Sequence, residues 1–201
     1  MTTPGEAWRL FVAIELPDTW LEALSKHVQS ARQHFGPQGN VSWSRPEGFH
    51  MTLKFIGPFD AANVPILTER LSRLIAASPK FRMVLQATYA FGGRPIPRIY
   101  AAGYGAPEHA EALEALHRKL DRAFVDLGVP KEGRKFLPHI TLARIRPGIS
   151  RQTYDAFVEA IRAAPQPEAP LFDVEHISLM RSHLGPGGAR YERVAAFAPQ
   201  A

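Results

Sequence analysis

Polar and apolar positions along the chain switch repeatedly between a period of two and a period near 3.6. From Arg9 to Leu16, Leu10, Val12, Ile14 and Leu16 fall on one side and Arg9, Phe11, Ala13 and Glu15 on the other, which predicts a strand ended by Pro17. Asp18 then opens a helix to about His34 with Trp20, Leu21, Leu24 and Val28 as its apolar stripe, stopped by Phe35-Gly36-Pro37. Strands are predicted near Val41 to Trp43, over Phe49 to Ile56, Phe81 to Phe91 and Arg98 to Tyr104, and over His139 to Ile145, Phe172 to Met180 and Ala189 to Phe197. Helices are predicted over Ala61 to Ala77, Pro107 to Leu127 and Ser150 to Ala163.

The order of these elements suggests a duplication. Leu10-Phe11-Val12-Ala13 and Ile99-Tyr100-Ala101-Ala102 open two similar stretches, and both this pair and the segments beginning at His50 and His139 are 89 positions apart. Each stretch reads strand, helix, His-x-Thr strand, helix, strand. No glycine-rich phosphate loop follows either opening strand, so a dinucleotide-binding or P-loop α/β reading has no support. An α+β protein with two lobes around a cleft is expected, residues 1–201 forming one bilobal unit with repeats over about 8–91 and 97–197.

Composition narrows the classes. Hydrophobic residues at 45% and charged residues at 21% are those of a globular protein. The formal charge of +5 favours an anionic partner such as a nucleotide or RNA. With no cysteine, the chain has no disulfide, thiolate nucleophile or Cys-based metal site. The opening residues Met1 to Ala7 lack a secretory pattern, and no apolar run approaches the ~18 residues of a membrane helix, so a cytoplasmic location without membrane contact is expected.

The candidate chemistry lies in His50-Met51-Thr52-Leu53 and His139-Ile140-Thr141-Leu142. On a strand, His50 and Thr52 share one face, as do His139 and Thr141, while Met51, Leu53 and Phe55, and Ile140 and Leu142, turn the other way toward a core. If the lobes are related by a pseudo-twofold axis, two imidazole–hydroxyl pairs face one cleft. One neutral imidazole can take a proton from water while the other, protonated, gives one to a leaving ribose oxygen. The hydroxyls can donate to non-bridging phosphate oxygens. This suits phosphodiester chemistry with no cofactor, and no metal site is expected, because none of His27, His34, His109, His117, His176 and His183 shows the His-Glu-x-x-His helix pattern of zinc hydrolases. His109 and His117 are expected on the exposed side of their helix.

The two His-x-Thr-Leu motifs, the opening Arg9 to Pro17, the block Phe136 to Arg144, and the late Arg181-Ser182-His183-Leu184 and Gly188-Ala189-Arg190-Tyr191 resemble the two-histidine phosphoesterases, above all the RNA 2′,3′-cyclic phosphodiesterases, also called 2′-5′ RNA ligases. The resemblance spans nearly the whole chain. It implies a bilobal fold of two antiparallel sheets flanked by helices, and hydrolysis of an RNA 2′,3′-cyclic phosphate end to a 2′-phosphomonoester, with weak reversible 2′-5′ ligation in some members. It also implies His50 as proton donor and His139 as proton acceptor. The residues alone leave those two roles symmetric, and leave open a related substrate, ADP-ribose 1″,2″-cyclic phosphate, or a non-catalytic RNA-end binder. A monomer is expected.

Further positions are candidates for substrate contact. Phe11 can look into the cleft and stack on a base or pack at the lobe junction, and Tyr100 is its mate in the repeat. Lys54 shares the parity of His50 and Thr52, which puts it near the phosphate or at the rim. Arg144 matches an arginine that the family places near substrate, yet strict alternation turns it away from His139; either the strand twists or bulges there, or Arg144 contacts something else. Arg134 and Lys135 form a basic loop that can meet RNA backbone or remain solvated. The Gly/Pro-rich stretch from Arg181 to Arg190 reads either as a gate over the cleft or as a hairpin connection.

Overall fold

The computed structural model describes residues 5–105, 110–133, 135–186 and 188–200. Strand β1, Ala7–Glu15, buries Leu10, Val12 and Ile14 in the main core on one face, and on the other seats Phe11 and Ala13 in a small separate cluster with Met180. Pro17 caps α1, Asp18–Phe35, whose inward residues Trp20, Leu24, Val28, Ala31 and Phe35 recur at three- and four-residue steps. Gly36, with φ of 75°, ends the helix as its N–H bonds the Arg32 carbonyl at 3.0 Å.

The remaining elements are β2 (Val41–Trp43), β3 (His50–Asp60), α2 (Val64–Ala76), β4 (Arg82–Phe91), β5 (Ile99–Gly105), α3 (Ala110–Ala123), β6 (Ile140–Ile145), α4 (Arg151–Ala163), β7 (Phe172–Asp173), β8 (Ile177–Gly185) and β9 (Gly188–Phe197). All strand pairings among the described residues are antiparallel, in the order β7-β4-β5-β6-β3-β1-β8-β9, with β2 beside β6. The two predicted sheets are thus one continuous path, and its halves meet between β3 and β6 at the paired position Met51↔Ile140.

Strands cross between the halves. β4 leaves β3 to pair with β5, and β8 returns to pair with β1. The helices cross too. α1 packs on α4 and reaches Tyr100 of β5 through His27, whereas α3 packs on β3 and on α2. Buried residues of each of α1, α2, α3 and α4 join the core cluster on the Leu10, Val12 and Ile14 face of β1, and among the described residues no helix contributes to the small cluster of Phe11, Ala13 and Met180 on the other face.

Most predicted boundaries agree with the observed ones to within a few residues. The predicted strand Phe172 to Met180 is broken into β7 and β8, and the helix predicted to begin at Ala61 starts with a single 3-10 turn, Ala61–Asn63, in which Asp60 accepts from the Ala62 N–H at 2.9 Å. Residues 107–109, the expected start of the third helix, lie outside the described residues, as does His109. His117 is not exposed: it is 8% accessible, stacks on Phe136 with ring centroids 3.9 Å apart, and donates from Nδ1 to the Leu53 carbonyl at 2.8 Å. Residues 181–185 belong to β8 and 188–190 to β9, which pair as a hairpin with Gly185 opposite Gly188, in line with the hairpin reading.

Candidate active site

Two bulges decide which side chains reach the face of Phe11 and Ala13. Along β3, Thr52 pairs with Ala13 but Lys54 pairs with Val12, so Leu53 is an extra residue. Along β6, Thr141 pairs with Ala101 but Ala143 pairs with Tyr100, so Leu142 is extra. Each insertion reverses the alternation beyond it. The bulge carbonyls are both bonded, that of Leu53 by His117 and that of Leu142 by the Ser44 N–H at 2.8 Å.

Arg144 gains its place from this. Beyond Leu142 it returns to the face of Thr141, where its positive charge lowers the pKa of both His139 and His50. The same shift removes Lys54 from the cleft, correcting the expectation from parity. Its ammonium is buried on the helix side, 2.8 Å from Asp121 Oδ1, 2.8 Å from the Pro130 carbonyl and 3.6 Å from Glu132. Phe55, expected in the core, comes out instead: it is 61% exposed and packs 6.4 Å from the Phe11 ring.

Tyr100 is also not in the cleft. It is 1% accessible and its hydroxyl bonds Nε2 of His27, whose Nδ1 donates to the Pro165 carbonyl at 2.7 Å. Burial pushes the phenol up to about 12. The reason is one residue of register. Val12 pairs with Lys54 and Tyr100 with Ala143, and those partners are 89 apart, so Tyr100 occupies the place of Val12, 88 positions earlier, rather than that of Phe11. A slip of one turns a side chain to the other face.

The histidines stand in similar surroundings. His139 lies just before β6, and its Nδ1–H donates to the Leu137 carbonyl at 2.7 Å, leaving the Nε2 lone pair free. Burial holds its pKa below the ordinary imidazole value, and Arg144 adds to this against the Leu137 bond. His50, the first residue of β3, hydrogen-bonds the backbone of Gly48. Burial, with the charges of Arg144 and His139, drives its pKa down to about 4, against the opposing pull of the Gly48 bond and Glu15. The two imidazoles and Arg144 therefore sense one another across one site.

Aromatic rings wall each imidazole. Phe11 lies 4.9 Å from the His50 ring and Tyr191 of β9 meets its edge at 4.8 Å; Phe91 of β4 meets His139 at 4.8 Å. Glu15, opposite His50 in the β1–β3 register, is forked by Arg193 at 2.7 and 2.9 Å and accepts from Ser178. Burial raises its pKa, but these hydrogen bonds outweigh it and keep the carboxylate below its usual range. The reading of the sequence missed Phe55, Phe91, Tyr191 and the Glu15–Arg193 pair. Glu15 was legible from the parity of β1; Tyr191 lies in a segment that carries the family resemblance but was given no role, and Phe91 comes from a strand that carries no motif.

Lys135 is exposed, and Arg134 lies outside the described residues. Among the described residues no group of three or more His, Asp or Glu side chains is arranged to hold a metal ion, and no helix is long and apolar enough to cross a membrane. A cavity of about 320 Å³ between α1 and the segment 165–168 shares no residue with the histidine cleft.

With this geometry in view, the relatives are informative. A sequence model described as the 2′-5′ RNA ligase superfamily matches residues 20–186. The chain belongs to that superfamily. It is 31% identical over 187 residues to an RNA 2′,3′-cyclic phosphodiesterase of Geobacillus stearothermophilus, covering 93% of this chain and 56% of that one, so it spans little more than half of that relative. It is 27% identical over 190 residues to an RNA 2′,3′-cyclic phosphodiesterase of Methanothermobacter thermautotrophicus, with 94% and 97% covered. Among solved structures, a Thermus thermophilus protein superposes with a TM-score of 0.73 at 26% identity over 96% of this chain and 98% of that one. The E. coli LigT complex with 3′-AMP shares the fold, with a TM-score of 0.72 at 23% identity over 98% of this chain and all of that one. The superfamily of this α+β protein and its large antiparallel sheet therefore agree with the resemblance read from its motifs.

Proposed function

We propose that the protein opens 2′,3′-cyclic phosphates at RNA ends to 2′-phosphomonoesters, with His139 as proton acceptor, His50 as proton donor and Thr52, Thr141 and Arg144 around the phosphate. The observation that carries this reading is the convergence of His50, His139 and Arg144 on one face, within reach of one another's charge. The relatives named RNA 2′,3′-cyclic phosphodiesterases support the substrate class.

The proposed step uses groups of this chain alone. His139, its Nδ1–H bonded to Leu137, offers Nε2 as base to a water. The water oxygen bonds to phosphorus as the P–O3′ bond breaks, and His50 delivers a proton to O3′. Thr52 and Thr141 donate hydrogen bonds to the non-bridging oxygens and Arg144 offsets their charge. With its pKa near 4 in the unliganded protein, His50 is neutral at pH 7. The phosphate anion supplies the opposite charge that raises its pKa, so the donor is armed by the substrate. With a 5′-hydroxyl in place of the water, the same step forms a 2′-5′ linkage as P–O3′ breaks, so the same groups support weak ligation.

The test is hydrolysis of 2′,3′-cyclic AMP by EDTA-treated protein, with chromatography of the product. The 2′-phosphate is expected, and His50→Ala or His139→Ala should each lower turnover by several orders of magnitude. Full turnover in either variant overturns the mechanism.

A further inference from the structure

We propose that Tyr89 and Phe91 form a second nucleobase platform, which takes the nucleotide joined to the phosphate through its 5′ oxygen. This rests on the phosphodiesterase reading and on His139 standing on the side from which water attacks.

Both rings lie on the face of the catalytic groups. Tyr89 pairs with Ala101, which pairs with Thr141, and Phe91 pairs with Ile99, which pairs with Arg144. Residues opposite one another on neighbouring strands project to the same side. The two rings stack with centroids 5.4 Å apart at 30°, and Phe91 carries the row on to His139. Tyr89 is 39% exposed. Beside it on β5 stands Gly103, where a Cβ would come within 3.3 Å of the Tyr89 ring, so the glycine leaves the ring its seat against the sheet. This row is separate from the rings of Phe11, Phe55 and Tyr191 around His50.

A cyclic mononucleotide needs one of these walls. Its leaving O3′ lies by the donor, which puts its base on that side, against the exposed ring of Phe55; Phe11 behind it is only 4% accessible. The opposite side of phosphorus, by His139, holds either a water or the 5′ oxygen of a further nucleotide. In a 2′-5′-linked substrate the ribose O3′ gives its proton to His50 and bonds to phosphorus. The P–O5′ bond breaks, and O5′ takes a proton from His139. The nucleoside leaving on that side has its base beside Phe91 and Tyr89, and aromatic faces hold bases of any sequence by stacking.

The test uses binding alone. 3′-Deoxyadenylyl-(2′→5′)-adenosine lacks the attacking hydroxyl and cannot react; 3′-deoxyadenosine 2′-(methyl phosphate) has the same charge and no second base. Calorimetric titration of the native protein is expected to show the dinucleotide binding about tenfold tighter. Tyr89→Leu, which keeps apolar bulk, should bring the two ligands within about twofold, and Tyr89→Phe should keep the preference. No preference in the native protein, or a full preference in Tyr89→Leu, overturns the proposal. Hydrolysis of cyclic AMP, measured in parallel, reports on the phosphodiesterase reading independently.

Discussion

The ammonium of Lys54 lies 2.8 Å from Asp121 Oδ1, on the opposite side of its strand from Thr52 only two residues earlier. Lys54 also holds the Pro130 carbonyl, and the Glu132 N–H donates to the same Asp121 oxygen at 2.8 Å, so the segment leading toward His139 is strapped onto α3 and β3. Lys54→Met should therefore destabilise the protein. Breaking a wholly buried pair costs about 3–5 kcal/mol, but hydration of the partly exposed carboxylates lowers the expected loss to about 2 kcal/mol. A shift of the urea midpoint by chemical denaturation measures it.

Arg144→Ala should lower kcat/KM for 2′,3′-cyclic AMP by about 10²–10³-fold, the scale of losing one preorganised charge contact in the transition state. The same change has a signature that simple damage lacks. The Arg144 charge depresses both imidazoles, so its removal should raise both pKa values. Titration of the histidine ring protons by NMR, in native and variant protein, reads this directly.

His50 also makes stability depend on pH. Its pKa falls from 6.5 in the unfolded chain to about 4 in the folded protein, so between those values the unfolded state binds the extra proton. Stability is complete above about pH 6.5, declines as the pH falls toward 4, and levels off below that, the whole change being on the order of 3 kcal/mol. Denaturant titrations across this window should show the slope, and His50→Gln should reduce it, with His139 and His27 keeping a part of the same sign.

Phe55→Ala separates binding from folding. With 61% of the residue exposed, its loss should move the denaturation midpoint little. Because Phe55 is the exposed ring of the proposed base wall, its loss should raise KM for 2′,3′-cyclic AMP by about tenfold, the lower part of the range for losing one stacked ring. Steady-state kinetics on the variant check this.

Much of this was legible in the sequence, and the exceptions share a cause. Alternation in β1 separated Leu10, Val12 and Ile14 from Phe11, and both His-x-Thr segments lie on neighbouring strands with their histidines within reach of each other's charge. Periodicity assumes an unbroken strand, however. A single extra residue at Leu53 sent Lys54 inward and Phe55 outward, and one at Leu142 brought Arg144 to the cleft. Tyr100 was misplaced because an alignment of sequence segments cannot reveal an 88-residue sheet register beside an 89-residue motif spacing. Phe91 and Tyr191 reach the histidines through strand pairings among residues far apart in the chain, and local patterning carries no trace of that.

The crossing of β4 and β8 between the halves bears on how the molecule is made. The half of the sheet that holds His50 includes β8 and β9, made long after β3, and the half that holds His139 includes β4, made before β5 and β6. Neither stretch of sequence can close its own half of the sheet, so a cut between Phe91 and Ile99 yields fragments that must find each other rather than two independent folding units. On the ribosome, the wall that Tyr191 gives His50 waits for the β8–β9 hairpin, and an emerging chain has no complete histidine cleft until those strands have returned to β1.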